Sequence, residues 1–363
     1  MSNVIRLSFP SRQEQRAASI AALLETFALH RRDESDVFWM KENAEILNIL
    51  ECTGQSVPRE ALEAYAGFYD TIEERLEFFP QYYRFLLSIC QDLESLGMEG
   101  GKSAGLARWI AAEGLVEAEL SDLQRGEAMR LLTRSGVNID MDMTLINVRL
   151  NQFAARSKTF AVPNKKAAYE LTHIAFYLSE YGRRDPELDA QVLQSLNYTG
   201  ILAFLDCNFD LLAEVLVAIG YCGAEAPQLW KDAVTNSTAL FSVSEGDDAV
   251  RQDDYHEYLV CNWALSELGH KPFQAALRPG PVSFHAAPRQ ATPLRELSEV
   301  MHGLSVRRSS DWVGMRDYLC DCVSPENADL LLSAEEASDC FQDFFSGFAR
   351  TGMRGMAQGA MTA

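Results

Sequence analysis

The chain has 363 residues, 47% hydrophobic and 23% charged, enough material for a large buried core. Its 52 acidic against 32 basic residues give a formal net charge of −20, which argues against binding to DNA, RNA or anionic membrane, because phosphate contacts need clustered Lys and Arg. The start, MSNVIRLSFPSRQEQR, holds too short an apolar run for a signal peptide, and no stretch of about 18 apolar residues could cross a membrane.

Residues 1–10 read as a flexible lead-in. Ser11 to Arg32 has a helical apolar stripe of Ala18, Ile20, Ala21, Leu24, Phe27 and Ala28. Asp33 to Cys52 is the next helix, with Ser35 as its cap and Thr53-Gly54 as its stop. Asn43 lies on its apolar face with Trp39, Ile46, Leu47 and Leu50, whereas Glu42 and Glu45 fall nearer the edge and read as solvated acids. Helical stretches follow from Pro58 to about Glu77 and from Pro80 to Leu96. The loop Met98-Glu-Gly-Gly-Lys102 lacks the Walker spacing and a preceding strand, so it is no nucleotide site. Further helices are expected over Ser103–Glu113, over Ser121–Ser135 with a Ser121/Gln124 capping box, and over Met141–Arg156.

Lys165 to Gly182 is the longest uninterrupted helical pattern in mid-chain, capped by Asn164 and ended by Gly182. At 100 degrees per residue, Tyr169, Phe176, Tyr177 and Glu180 fall within about 60 degrees of His173. Ala168, Leu171, Ala175 and Leu178 occupy the other side. A helix apolar on both faces is buried on both, and the side carrying His173, Tyr177 and Glu180 suits a cavity wall or a polar network. The plainer explanation is a core histidine bonded to a carbonyl or to Glu180.

A helix from about Glu187 to Leu205 comes next, then Phe209–Tyr221, capped by Asn208, with Asp210 and Glu214 one turn apart. Asp210 sits in the first turn, where the helix dipole favours a carboxylate. After a helix over Pro227–Phe241 and an acidic loop over Ser242–Gln252, the helix Asp253–Leu268 places His256 on a stripe with Leu259, Val260 and Trp263. Lys271 to Thr292, with four prolines, is the longest loop and reads as a lid or connector. Pro293–Leu304, Asp311–Cys322 and Ala334–Arg350 are the last helices, and residues 351–363 a flexible tail. The eight cysteines, at 52, 90, 207, 222, 261, 320, 322 and 340, read as reduced thiols of a cytoplasmic protein, and Cys320-Asp-Cys322 lacks the spacing of a zinc site. There is neither β-alternation nor GxGxxG. The expected fold is therefore all-α, antiparallel helix pairs in a single domain over 11–350, divisible into 11–156 and 163–350.

Two chemistries suit these residues. Carboxylate-bridged di-metal proteins use an acid three residues before a histidine on each of two helices, with single carboxylates from two others. Glu170-x-x-His173 and Asp253-x-x-His256 fit that spacing, Asp210 or Glu214 lies between, and Glu42 or Glu45 precedes, so the metal set would be Glu170, His173, Asp210, Glu214, Asp253 and His256 holding iron or manganese. Glu267-x-x-His270 and Glu299-x-x-His302 match the same pattern, which makes the signal unspecific. Without metal, His173 and His256 could serve as general acid and base, with Glu180, Glu214 or Asp210 orienting them and Tyr177 supplying a hydroxyl. Cys207 and Cys261 lie near these motifs, but nucleophilic catalysis has little support.

The segments LTHIAFYLSEYG (171–182), DLLAEVL (210–216) and YHEYLV (255–260) resemble a pattern in uncharacterised bacterial all-helical proteins, LTHxxFYL, DLxAE and YHxxLV, over about residues 165–265. Ser179-Glu180-Tyr181 departs from the Thr-Asp-Phe of that pattern. The resemblance implies an all-helical fold, with an α/α barrel or toroid-like array as one form, and groups His173, Glu180, Asp210, Glu214 and His256. It brings no reaction. The leading expectation is a small-molecule enzyme or binder built on a His/carboxylate cavity. The alternative is a non-catalytic scaffold that recruits a protein partner or a second copy of itself. Convergence of His173, His256, Asp210 and Glu214 on a solvent-reachable pocket would favour the first.

Overall fold

The computed structural model describes residues 11–246, 252–288 and 292–351. The lead-in 1–10, part of the acidic loop and all but the first residue of the tail lie outside the described residues. Among the described residues the structure is all-α apart from one small strand pair.

Helix α1 (Arg12–Glu25) opens on a capping box: the Ser11 hydroxyl accepts from the Glu14 N–H at 3.2 Å and the Glu14 carboxylate accepts from the Ser11 N–H at 2.6 Å. The expected helix to Arg32 is not uniform. Its last turn, Thr26–His30, widens to π geometry, closed by the Arg31 N–H on the Thr26 carbonyl at 3.1 Å. Helix α2 (Val37–Cys52) is capped by Asp36 rather than Ser35; the Asp36 carboxylate accepts from the Phe38 N–H at 2.9 Å. The stretch after Pro58 breaks into α3 (Arg59–Leu62), α4 (Ala66–Asp70) and α5 (Ile72–Phe78), then α6 (Tyr83–Leu96) and α7 (Ser103–Ala112) follow. At α8 (Asp122–Arg134) the Ser121 side chain makes no capping bond, so the expected box does not form. Helices α9 (Met143–Ala154) and α10 (Ser157–Phe160) lead to α11 (Lys165–Leu178), which Asn164 caps through the Ala167 N–H at 3.2 Å.

Helix α11 ends before Gly182. Glu180, Tyr181 and Gly182 take left-handed φ values of 51, 56 and 80 degrees, so the chain leaves the helical path two residues after Leu178. Then come α12 (Ala190–Leu205), α13 (Phe209–Tyr221), capped by Asn208 as expected, α14 (Gln228–Ala239) and α15 (Tyr255–Glu267). The C-terminal part is α16 (Pro293–Leu304), α17 (Trp312–Cys322), α18 (Pro325–Glu336) and α19 (Phe341–Phe348). The helix expected over Ala334–Arg350 is thus split in two.

Both stretches expected to be loops flanking α15 contribute a strand. β1 (Ser242–Glu245) pairs antiparallel with β2 (Val282–His285), in the register Ser242↔His285 to Glu245↔Val282. Four-residue strands separated by a helix leave no alternation long enough to read. The pair is tied to the start of α15: the Asp253 carboxylate accepts from the Phe284 N–H at 2.7 Å, the Asp254 N–H donates to the Phe284 carbonyl at 2.9 Å, and the Phe284 ring stacks on Tyr258 at 4.4 Å. This clamp fixes where the first turn of α15, and with it His256, begins.

One hydrophobic cluster runs from Ile20 to Ala349. Helix α13 is its axis, packing against α11, α12, α14 and α15, while α2 packs against α6 and α15. These contacts define a helical array; they do not define a barrel or toroid. In sequence α13 is apolar all round except for Asp210 and Glu214, which is the pattern of a helix enclosed on every side. Two carboxylates are therefore carried into the middle of the protein. The packing is close: a Cβ at Gly200 of α12 would collide with the ring of Trp230, itself fully buried. Gly200→Ala is expected to cost about 1–3 kcal/mol in urea unfolding, despite the better helix propensity of alanine. A variant as stable as the parent would mean that the Trp230 ring has room to move. Among the described residues no helix is long and apolar enough to cross a membrane.

Candidate functional site

Helices α11, α13 and α15 stand against α2, α6 and α8 around a cavity of about 260 Å³. His173 enters it from α11, Glu214 from α13, His256 from α15, and Lys41 and Glu45 from α2. Residues between 41 and 130 and between 173 and 263 build this one space.

His256 is the best-fixed group. Its Nδ1 lies 2.7 Å from Oδ2 of Asp210, whose Oδ1 accepts from the Tyr169 hydroxyl at 2.9 Å. A carboxylate fixed in this way sets both the ring orientation and the nitrogen that carries the proton. The other nitrogen, Nε2, faces Glu45 at 3.8 Å and Glu214 at 3.9 Å, beyond hydrogen-bonding reach of either, and lines the cavity. Burial works against the imidazolium, but the Asp210 hydrogen bond and the charges of Glu45, Asp210 and Glu214 outweigh it and raise the pKa of His256 to about 9. At neutral pH His256 is thus a cation presenting an N–H to the cavity. Asp210 moves the opposite way: burial raises its pKa, but the bonds from His256 and Tyr169 bring it below the usual carboxylate range.

Glu214 is 2% exposed, and the Thr172 hydroxyl donates to its Oε2 at 2.6 Å. Burial raises its pKa against the pull of His173 and His256. His173 is oriented by backbone. Its Nδ1 lies 2.7 Å from the Tyr169 carbonyl, which can only accept, so Nδ1 carries the hydrogen and Nε2 of the neutral ring is left as an acceptor. The side chains of His173 and His256 are 35% and 28% exposed, so solvent reaches both. The cavity therefore holds one nitrogen poised to give a proton and one able to take it.

The far wall is aromatic and basic. Phe176, Tyr181 and Trp263 pack together, with Phe176 and Trp263 centroids 4.7 Å apart and Tyr181 stacked on Trp263 at 5.8 Å. Beside them are Arg84 and Arg130. Arg84 is held by Glu119 at 3.0 Å and by Glu127.

A family profile matches residues 1–351, nearly the whole chain. The chain belongs to the DUF6902 family. That family is described as a domain of unknown function, and no curated protein and no solved structure gives a significant match.

In this DUF6902 chain the structure brings together His173, Tyr177, Asp210, Glu214 and His256, and it leaves out Glu180, Glu170 and Asp253. Glu180 sits on the left-handed turn after α11 and pairs with Arg184 at 3.2 Å. Glu170 faces outward, 38% exposed, toward Lys166. The Asp253 side chain is fully buried but belongs to another network, a two-point ion pair with Arg31 at 2.8 and 2.9 Å. Each acid of the two acid-x-x-His motifs is thus directed away from its histidine, and the six-residue iron or manganese set is not assembled. Asp210, Glu214 and His256 remain, with ligand-type atoms within 4.8 Å of one another. Tyr177 lines the cavity with its ring edge-on to His173 at 5.7 Å. The solvated reading of Glu42 and Glu45 is corrected: Glu42 is 1% exposed between Arg31 and Arg32, and Glu45 lines the cavity. Tyr181 and Arg130 were missed. Tyr181 reaches the cavity only because the helix breaks before it, and Arg130 lies in a polar helix, where an arginine ordinarily faces water.

Proposed function

We propose that this protein is a proton-transfer enzyme acting on a small molecule held in the α11/α13/α15 cavity, with His256 as general acid and His173 as general base. The observation that carries it is the Asp210–His256 pair at 2.7 Å with Nε2 left open to the cavity. A hydrogen bond that fixes the ring while leaving its other nitrogen unpaired is the arrangement of a working acid. The reaction class is isomerisation or elimination. His173 Nε2 removes a proton from the substrate, His256 Nε2–H supplies one to the oxygen or nitrogen where negative charge collects, and buried Glu214 lies between the two rings, 3.7 Å from His173 Nδ1 and 3.9 Å from His256 Nε2.

The test is to incubate wild-type protein with pooled small metabolites in D₂O and follow deuterium incorporation or conversion by proton NMR. His256→Gln is expected to lower kcat/KM of any conversion found by roughly 10²–10⁴-fold, and Asp210→Asn to lower it less, by freeing the ring. Equal rates in wild type and His256→Gln would end the acid–base reading. Elemental analysis of the untagged protein separates proton from metal chemistry. A stoichiometric divalent ion, lost in His256→Gln, would replace the proton at the centre of the cluster, and only trace metal is expected.

A further inference from the structure

The protein buries several guanidinium groups and pairs them. Arg31 lies between Glu42 and Asp253, and Arg134 between Asp92 and Glu51. Arg130 is different. It is 7% exposed and lines the cavity, yet its Nε and Nη1 have no hydrogen-bond partner, and it forms no ion pair among the described residues. Its contacts are aromatic: the guanidinium lies 4.7 Å from the ring centre of Tyr181 and 6.0 Å from that of Tyr177. A buried guanidinium with open N–H groups is costly to the folded state unless something anionic joins it.

We propose that Arg130 anchors the carboxylate of the substrate, and that the substrate is a small aromatic or otherwise flat monocarboxylate. This rests on the proton-transfer reading for what happens at the other end of the molecule, but not for binding itself. The planar fork of arginine matches a carboxylate in two-point fashion. Arg84, the other guanidinium on this wall, is already taken by Glu119 and Glu127. Lys41 pairs with Glu45 at 3.5 Å and His256 with Asp210 at 2.7 Å, so among the described cations of this lining Arg130 is the one without a carboxylate partner, which suits a monoanion and not a phosphate dianion. A cavity of about 260 Å³ takes a small molecule rather than a large one. The Phe176, Tyr181 and Trp263 rings supply a flat apolar wall for its body. Tyr177 touches both ends, 6.0 Å from Arg130 and 5.7 Å from the His173 ring, so anchor and proton-transfer pair are one aromatic ring apart.

The experiment is thermal unfolding of the full chain with benzoate, phenylacetate and 4-hydroxybenzoate, against benzamide and inorganic phosphate as controls, in wild type, Arg130→Met and His256→Gln. Expected is a concentration-dependent rise in Tm of wild type and His256→Gln with at least one carboxylate, and no rise with benzamide or phosphate. Arg130→Met should show none, while its ligand-free Tm equals or exceeds that of wild type, since a buried guanidinium with two unpartnered nitrogens has been removed. Arg130→Lys should keep a weakened response. Failure of all three carboxylates on wild type, equal protection of Arg130→Met, protection by phosphate, or an Arg130→Met protein that is several degrees less stable or fails to fold would each overturn the anchor. Because His256→Gln is expected to keep the response, loss of the proton-transfer reading would show in turnover and leave this result standing.

Discussion

Arg31→Met is expected to destabilise the protein by about 3–5 kcal/mol, a large part of the total for a typical domain. Arg31 donates from Nε to Glu42 at 2.9 Å, from Nη1 and Nη2 to Asp253 at 2.9 and 2.8 Å, and to the Val282 carbonyl at 2.9 Å. Burial opposes its charge, but the bonds to Asp253 and Glu42 more than offset this and raise its pKa further. The guanidinium also lies within about 5 Å of the rings of Phe27 and Tyr255. Without it, the buried Asp253 carboxylate keeps the single Phe284 N–H, whereas Glu42 keeps Arg32. The second substitution Asp253→Asn should therefore recover much of the loss in the Arg31→Met background. Urea unfolding at pH 7 measures both, and a loss under about 1 kcal/mol in the single variant would show that water enters and solvates the pair.

The second large effect is on pH dependence. His256 has its pKa raised from the usual 6.5 to about 9 in the folded protein. A raised folded value means the native state binds the proton more tightly. The stabilisation is therefore complete below about pH 6.5 and is lost as pH rises through about 9. The shift corresponds to about 3 kcal/mol at full development. The groups facing the ring are Glu45 and Lys41 from α2, Tyr169 and His173 from α11, Asp210 and Glu214 from α13, and neighbouring Tyr255. Burial first, then nearby carboxylates, hold Tyr169 and Tyr255 protonated well beyond this window. Stability by urea titration from pH 6 to 9 should fall in wild type and stay nearly level in His256→Gln. Parallel curves for the two proteins would mean that His256 titrates near its ordinary value and is neutral where the cavity works.

The residues most legible in the sequence were those whose environment is made by their own helix. Asn164 and Asn208 cap two of the helices that carry the site, and the helical spacing put His256 on an apolar stripe and His173 on a face suited to a cavity wall, whereas Asp210 and Glu214 fall off the face of Leu211, Leu212, Val215, Leu216 and Ile219 and are enclosed because neighbours cover that side of the helix as well. One misreading came from a partner far away in the chain. Nothing near Asp253 announces that Arg31 will claim it, so the acid-x-x-His spacing suggested a ligand where there is an ion pair. Glu42 looked solvated although its partners Arg31 and Arg32 are near in sequence, because they reach it across the turn between two helices, which periodicity along one helix does not show. Glu180 failed for a local reason: a left-handed residue at the helix end rotates everything after it, and Tyr181 took the place in the cavity that ideal geometry gave to Glu180. The strands were too short to show a period, and Arg130 carried no signal, because an unpaired buried cation is recognised only by what surrounds it.

The Arg31–Asp253 pair also bears on how the chain is made. Its two members are 222 residues apart. At about 5–20 residues per second, a ribosome takes roughly 10–45 s to deliver the second after the first. Throughout that interval the nascent N-terminal helices carry a guanidinium destined for burial whose main counter-charge has not yet been synthesised, so they remain open to chaperones until α15 emerges.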